Sequence, residues 1–217
     1  MPKKKKNKNR AVKRGFHTLP NYLTVLRIAL IPVFVWLFVS GTPHARLAAT
    51  LVFFTASLTD FLDGWIARRW GLVTEIGIFL DQFADKLLVW SALVLLLFVP
   101  SLHIHWFWVG VILFRDLFIT AVRAAVKKAT GRQMVTSIWG KVKAAVQMAA
   151  VIIILVLLSL AEFPGGGPGR FLDAVLAWRV PMILIILSAV LALVSLARYL
   201  VDNRPALSEF LKRSRRQ

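Results

Sequence analysis

Six apolar stretches, each close to the roughly 20 residues that carry a helix across a bilayer, make up most of this chain: residues 21–40, 46–68, 75–99, 105–126, 137–161 and 175–200. In hydrocarbon a backbone must satisfy its own hydrogen bonds, which leaves helices as the natural form for such segments. With 58% of 217 residues hydrophobic, the chain holds more apolar sequence than one soluble core of its size hides. The prediction is an all-α integral membrane domain of six transmembrane helices over 21–200. A basic interfacial segment, 1–20, precedes it, and a basic cytoplasmic tail, 201–217, follows. The breaks between stretches carry turn chemistry, as at Gly41-Thr42-Pro43, Arg68 to Gly71, Pro100-Ser101, Lys127 to Gly131 and Pro164 to Gly169.

A net charge of +18 could suggest a nucleic-acid partner, but its distribution argues for membrane orientation instead. The N-terminal residues through Arg14, the Arg68-Arg69 pair, Lys127 to Lys143 and the residues from Arg198 onward fall on one side of a six-span layout. The other side holds Arg46, Arg170 and Arg179. The positive-inside rule then puts both termini in the cytoplasm. Residues 1–20 mix Lys and Arg with Phe16 and Leu19, which suits a stretch lying on anionic lipid; a disordered basic tail fits the same composition. Lys3 to Lys6 lack the adjoining short apolar run and small-residue cleavage site of a signal peptide, and no transit sequence is recognisable, so a bacterial plasma membrane is the expected location. There is no cysteine, so no disulfide or thiolate metal site is available.

Four aspartates interrupt the apolar sequence in the frame Asp60-x2-Asp63-Gly64-x2-Ala67-Arg68-x8-Gly77-x3-Asp81-x3-Asp85. Carboxylates within membrane-length segments are expensive and usually functional. Asp60, Asp63 and Ala67 fall at i, i+3 and i+7, and Gly77, Asp81 and Asp85 at i, i+4 and i+8, so each set lines one helix face. The short turn from Arg68 to Thr74 makes the two helices antiparallel neighbours, with Thr74 as candidate N-cap of the second. Two carboxylate pairs then face one another near the cytoplasmic end. So many carboxylates at close quarters need protons or cations, and oxygen donors without His or Cys suit Mg²⁺ or Mn²⁺ rather than zinc. A two-metal site could clamp phosphoryl oxygens and leave one carboxylate to take a proton from an attacking hydroxyl. Gly64 and Gly77 would admit a bulky substrate to the backbone, Ala67 keeps the wall low, and Arg68 offers a fork for phosphate. Two other readings use the same residues. The carboxylates could pair with Arg68 or Lys86 as helix glue, in which case Asp→Asn changes would be tolerated. They could also form the ion site of a divalent-cation transporter, although the outer halves of the helices lack the acidic residues of a through-pathway.

This frame resembles the signature of the CDP-alcohol phosphatidyltransferases, and every fixed position of that signature matches. The resemblance implies that Asp60, Asp63 and Asp81 ligate divalent metals, Asp81 bridging them, and that Asp85 is both ligand and general base. It also implies that CDP-diacylglycerol lies against Gly64, Ala67, Arg68, Thr74 and Gly77, with help from Asn21 and Thr24 in the segment Pro20-Asn21-Tyr22-Leu23-Thr24.

Over nearly the whole chain the sequence is similar to bacterial members that use glycerol 3-phosphate as acceptor, through Pro20-Asn21-x2-Thr24-x2-Arg27, Ala56 to Asp60, Leu80-Asp81-x2-Ala84-Asp85-Lys86, Arg115-x7-Arg123 and Trp139-Gly140-Lys141-x-Lys143. Arg115, Arg123, Lys141 and Lys143 are the candidate contacts to the acceptor phosphate, since a phosphorylated acceptor needs cations; Lys141 and Lys143 also fit as helix-end charges. Gln82, Asp116 and Ala144 depart from the usual pattern, and CMP-forming cardiolipin synthases share many of these segments and remain the alternative. Relatives of this kind form homodimers, which is the expectation here. The remaining signals are weaker. His103 and His105, beside Trp106 and Trp108, suit an aromatic interfacial belt or, alternatively, a metal site. Glu162 reads as a loop residue, and Gly165 to Gly169 lacks the Lys-Ser/Thr ending of a phosphate loop.

Overall fold

A computed structural model describes residues 19–70, 75–131, 134, 138–162, 175 and 179–214, with the side chains of 19, 20, 61–70, 75, 76, 78, 79, 82, 211, 213 and 214 outside the description. The elements in order are α1 (Leu19–Val39), α2 (Pro43–Trp70), α3 (Glu75–Leu96), a 3₁₀ turn (Pro100–Leu102), α4 (Trp106–Thr130), α5 (Ile138–Glu162), α6 (Val180–Asp202) and α7 (Arg204–Ser214). Each of the six apolar stretches carries a helix whose ends lie within a few residues of the expected ones.

The chain forms two compact units, Met1–Ser91 and Ala92–Gln217, with the boundary inside α3. In the first, α1 starts with Pro20 in its first turn, where a missing N–H costs nothing. Its buried positions are Asn21, Thr24, Arg27, Phe34 and Phe38, a stripe that is polar at one end and aromatic at the other. The aromatic end packs on α2: the ring of Phe34 lies 6.0 Å from Phe38 and 5.4 Å from Phe53, and each such pair adds about 0.5–1.5 kcal/mol beyond its buried area. The turn between the helices depends on Gly41, whose φ of +70° is left-handed. Thr42 Oγ1 accepts the Ala45 N–H at 3.2 Å and so caps α2, with Pro43 as its first residue.

In the second unit, α6 packs against α4 and α5, and α7 packs against α4. The buried face of α6 includes Ser188, Ala189, Ala192 and Ser195, small residues that let a neighbouring helix approach closely. A Cβ on Gly140 of α5 would meet Ser195 Oγ at 3.8 Å, an ordinary contact. His105 Nδ1 accepts the Phe107 N–H at 3.2 Å, so this histidine is the N-cap of α4, and its ring stacks on Trp106. Gly131 ends α4 in the left-handed region and donates its N–H to Lys127 O at 2.9 Å. The stretch expected as a basic tail contains α7, whose Ala206, Leu207 and Phe210 cover a cluster of Ile119, Val126, Met134 and Tyr199. Residues 1–18, including most of the expected interfacial segment, and the Gly/Pro stretch 164–169 lie outside the described residues.

Among the described residues three helices are long and apolar enough to cross a membrane: α1 over Asn21–Val39, α5 and α6. At 28, 22 and 25 residues, α2, α3 and α4 have the length, but they carry the aspartates and the Arg and Lys side chains discussed below. Trp36, Leu51, Phe98, Trp106, Phe114 and Ile138 each stand largely exposed. Large apolar side chains turned outward on so many helices suit a lipid surround rather than water.

Candidate active site

Arg27 organises the polar end of the first unit. Its side chain is fully buried, and one nitrogen, Nη1, lies 2.9 Å from Asp60 Oδ1 and 3.0 Å from Asp81 Oδ1. Its Nε donates to the Ala56 carbonyl at 3.3 Å, a group that also accepts the Thr59 hydroxyl at 2.8 Å. Three helices therefore meet at this guanidinium: α1 supplies the cation, α2 supplies Asp60 and Ala56 O, and α3 supplies Asp81. Charge-assisted hydrogen bonds of this kind are about twice as strong as neutral ones, and a buried arginine demands them. Asn21 and Thr24 precede Arg27 on α1, both 2% exposed. The carboxylates are less buried, the Asp60 and Asp81 side chains being 32% and 40% exposed. Asp85 follows one turn after Asp81 on α3 and is half-buried, as are Lys86 and Gly77. Asp63, Gly64, Ala67 and Arg68 belong to α2 with their side chains outside the described residues, and Thr74 lies outside them altogether.

The donors present suit a hard divalent cation. Two carboxylates from different helices converge on one positively charged atom, and their oxygens are the ligand type that Mg²⁺ and Mn²⁺ prefer. Among the described residues no group of three acidic or histidine side chains gathers closely enough to hold an ion by itself, and Asp63 is not among the described side chains.

A second buried polar cluster lies in the second unit. Asp116 receives Lys143 Nζ at 2.7 Å on both oxygens and Arg115 Nη1 at 3.0 Å on Oδ1. Arg115 Nη2 donates to Ser195 Oγ, and its Nε donates to the Ala192 carbonyl at 3.3 Å. Arg115, Asp116 and Lys143 are each less than one-tenth exposed. α4, α5 and α6 all contribute. Arg123, two turns after Arg115 on α4, donates from Nε to Tyr199 Oη at 3.4 Å, whereas Lys141 is exposed. Of the four expected acceptor contacts, the structure brings Arg115 and Lys143 together on a shared carboxylate.

The family model of the CDP-alcohol phosphatidyltransferases matches residues 17–194. The chain belongs to that family. A protein of Blochmanniella floridana named CDP-diacylglycerol–glycerol-3-phosphate 3-phosphatidyltransferase is 36% identical over 150 residues, 67% of this chain and 77% of the relative. Proteins of the same name from Haemophilus influenzae and Escherichia coli are 38% identical over 138 residues (61% of this chain, 72% of the relative) and 39% identical over 142 residues (63% and 76%). Members of the family generally use a divalent metal, in keeping with the oxygen donors of Asp60 and Asp81.

Two members of these clusters, Arg27 and Asp116, carry no role in the sequence reading. Arg27 stood in a matching segment without a task, although a lone arginine inside an apolar stretch implies a carboxylate partner. Asp116 counted only as a departure from the family pattern, yet it holds both Arg115 and Lys143. Its neighbour Arg115 was the available signal, since two adjacent opposite charges in apolar sequence point to a buried ionic cluster.

Proposed function

We propose that this protein transfers the phosphatidyl group of CDP-diacylglycerol to glycerol 3-phosphate, giving phosphatidylglycerol phosphate and CMP. The observation that carries the reading is membership of the family together with the names of the relatives, in which donor and acceptor are both stated. Asp60 and Asp81, brought together from two helices at Arg27, supply oxygen donors in keeping with it.

In this mechanism the sn-1 hydroxyl oxygen of glycerol 3-phosphate attacks the β-phosphorus of CDP-diacylglycerol. The new P–O bond forms as the bond to the CMP oxygen breaks, the hydroxyl proton passes to the Asp85 carboxylate, and CMP leaves. Asp60, Asp63, Asp81 and Asp85 would hold two divalent cations, which when bound neutralise the diphosphate and the charge on departing CMP. Asn21, Thr24, Gly64, Ala67, Arg68, Thr74 and Gly77 would bind the CDP-diacylglycerol headgroup. Arg115, Arg123, Lys141 and Lys143 would bind the acceptor phosphate, Arg115 and Lys143 as a buried pair held together by Asp116. We further propose six membrane spans, a bacterial plasma membrane location, both termini and the cleft on the cytoplasmic side, and a homodimer. Acyl chains then stay in lipid while the headgroup enters the polar cleft.

The test is purified protein in lipid nanodiscs with CDP-diacylglycerol, Mg²⁺ or Mn²⁺ and a panel of acceptors, following CMP and lipid product. CMP release with glycerol 3-phosphate is the expected result. No release with any acceptor refutes the transferase, and release with phosphatidylglycerol alone makes the protein a cardiolipin synthase.

A further inference from the structure

Arg27 touches the proposed metal ligands without being able to bind a metal itself. Its charge lies wholly inside the protein, its Nη1 contacts one oxygen of Asp60 and one of Asp81, and its Nε is tied to the Ala56 carbonyl. That third contact matters, because it fixes the plane of the guanidinium to the backbone of α2. With the plane fixed, the direction from which each carboxylate is held is fixed as well. A carboxylate offers about four lone-pair sites on two oxygens, so one that accepts a guanidinium N–H can still ligate a cation.

We propose that Arg27 is a positioning residue for the metal-binding carboxylates: it sets the separation and orientation of Asp60 and Asp81 across α2 and α3. The proposal rests on the metal-dependent reading above. Two carboxylates on separate helices repel each other and, without a common partner, turn apart on their χ angles; the guanidinium holds them at one point before a divalent ion arrives. Outer partners of metal-ligating groups act in this way in general, and their loss costs about 10- to 100-fold in metal affinity. The same residue ties α1 to the carboxylates, so Asn21 and Thr24 are held in register with them. Lysine keeps the charge but presents one compact ammonium without the planar fork, so it cannot hold the Ala56 carbonyl and both carboxylates in this geometry.

The experiment is Mn²⁺ titration, read by the electron paramagnetic resonance signal of free Mn²⁺, on purified protein in nanodiscs for wild type, Arg27→Lys and Arg27→Gln, alongside thermal unfolding with and without Mn²⁺. Wild type is expected to bind Mn²⁺ and gain thermal stability from it, and Arg27→Lys to bind about 10- to 100-fold more weakly with a smaller Mn²⁺-dependent gain. Should Arg27→Gln fail to fold, Arg27→Lys decides the matter, because it retains the charge that the two carboxylates need. Wild-type Mn²⁺ affinity in folded Arg27→Lys, with stability lowered equally in the presence and absence of metal, would overturn the proposal and leave Arg27 as a structural ion pair. Absence of Mn²⁺ binding by wild type overturns the metal reading itself.

Discussion

The two charge clusters have opposite compositions. In the first unit one guanidinium, Arg27, faces two carboxylates, Asp60 and Asp81; in the second, one carboxylate, Asp116, faces two cations, Arg115 and Lys143. Counted over these side chains alone, the first carries a surplus negative charge and the second a surplus positive one. Buried charges are costly unless they are paired, and each cluster pairs its charges across more than one helix. On the reading proposed above, the first would serve cations and, through them, a diphosphate donor, and the second the phosphate of an acceptor. They also differ in exposure. The Asp60 and Asp81 side chains are 32% and 40% exposed, whereas those of Asp116 and Lys143 are 9% and 5% exposed.

The division of labour can be broken at several points. The largest effect belongs to Asp85→Asn, for which CMP release should fall by roughly 10²- to 10⁴-fold, the usual contribution of a general base. Appreciable CDP-diacylglycerol binding, measured by equilibrium dialysis in detergent, should remain. Near-normal turnover would take Asp85 out of the base role. In the other cluster, Asp116→Asn strands two buried cations and should cost about 3–5 kcal/mol, visible as a lowered unfolding midpoint. An unchanged midpoint would mean that Asp116 does not hold the two cations together.

Smaller effects sharpen the comparison. Lys143→Met should raise the KM for glycerol 3-phosphate by about tenfold or more, the worth of a charged hydrogen bond, while the KM for CDP-diacylglycerol stays constant. Equal changes in both constants would place Lys143 outside the acceptor site. Lys141 is exposed, so Lys141→Ala should alter either constant by less than about threefold, in line with the small worth of solvated charges. A larger change, seen in steady-state kinetics, would show that the side chain closes over the acceptor.

Much of the fold was legible in sequence because length and apolar runs set it. The six stretches each became a helix, and Gly41 and Gly131 mark ends where they stand. The spacing of the carboxylate frame fixes shared helix faces before any tertiary contact is known, and Asp60 and Asp81 of that frame meet at Arg27. Partnerships between distant positions were not. Arg27 and Asp81 are 54 positions apart, Lys143 and Asp116 are 27, and Arg115 and Ser195 are 80; no periodicity within a helix encodes such pairings. α7 lies in the stretch expected as a basic tail, where the charges around Ala206, Leu207 and Phe210 mask their helical spacing. His105, which from sequence suits an aromatic belt or a metal site, accepts the Phe107 N–H at Nδ1 and is a helix cap.

The most direct measurement of the central claim, that the two clusters serve different ligands, is a full set of steady-state constants for Asp60→Glu and Lys143→Met, with CDP-diacylglycerol, glycerol 3-phosphate and Mn²⁺ varied in turn. Asp60→Glu keeps the charge but displaces the ligand oxygens, so it should raise the Mn²⁺ activation constant and leave the KM for glycerol 3-phosphate unchanged. Lys143→Met should do the reverse. If both variants move the same constants together, the opposite charges of the two clusters do not divide the work between metal and acceptor, and the account fails.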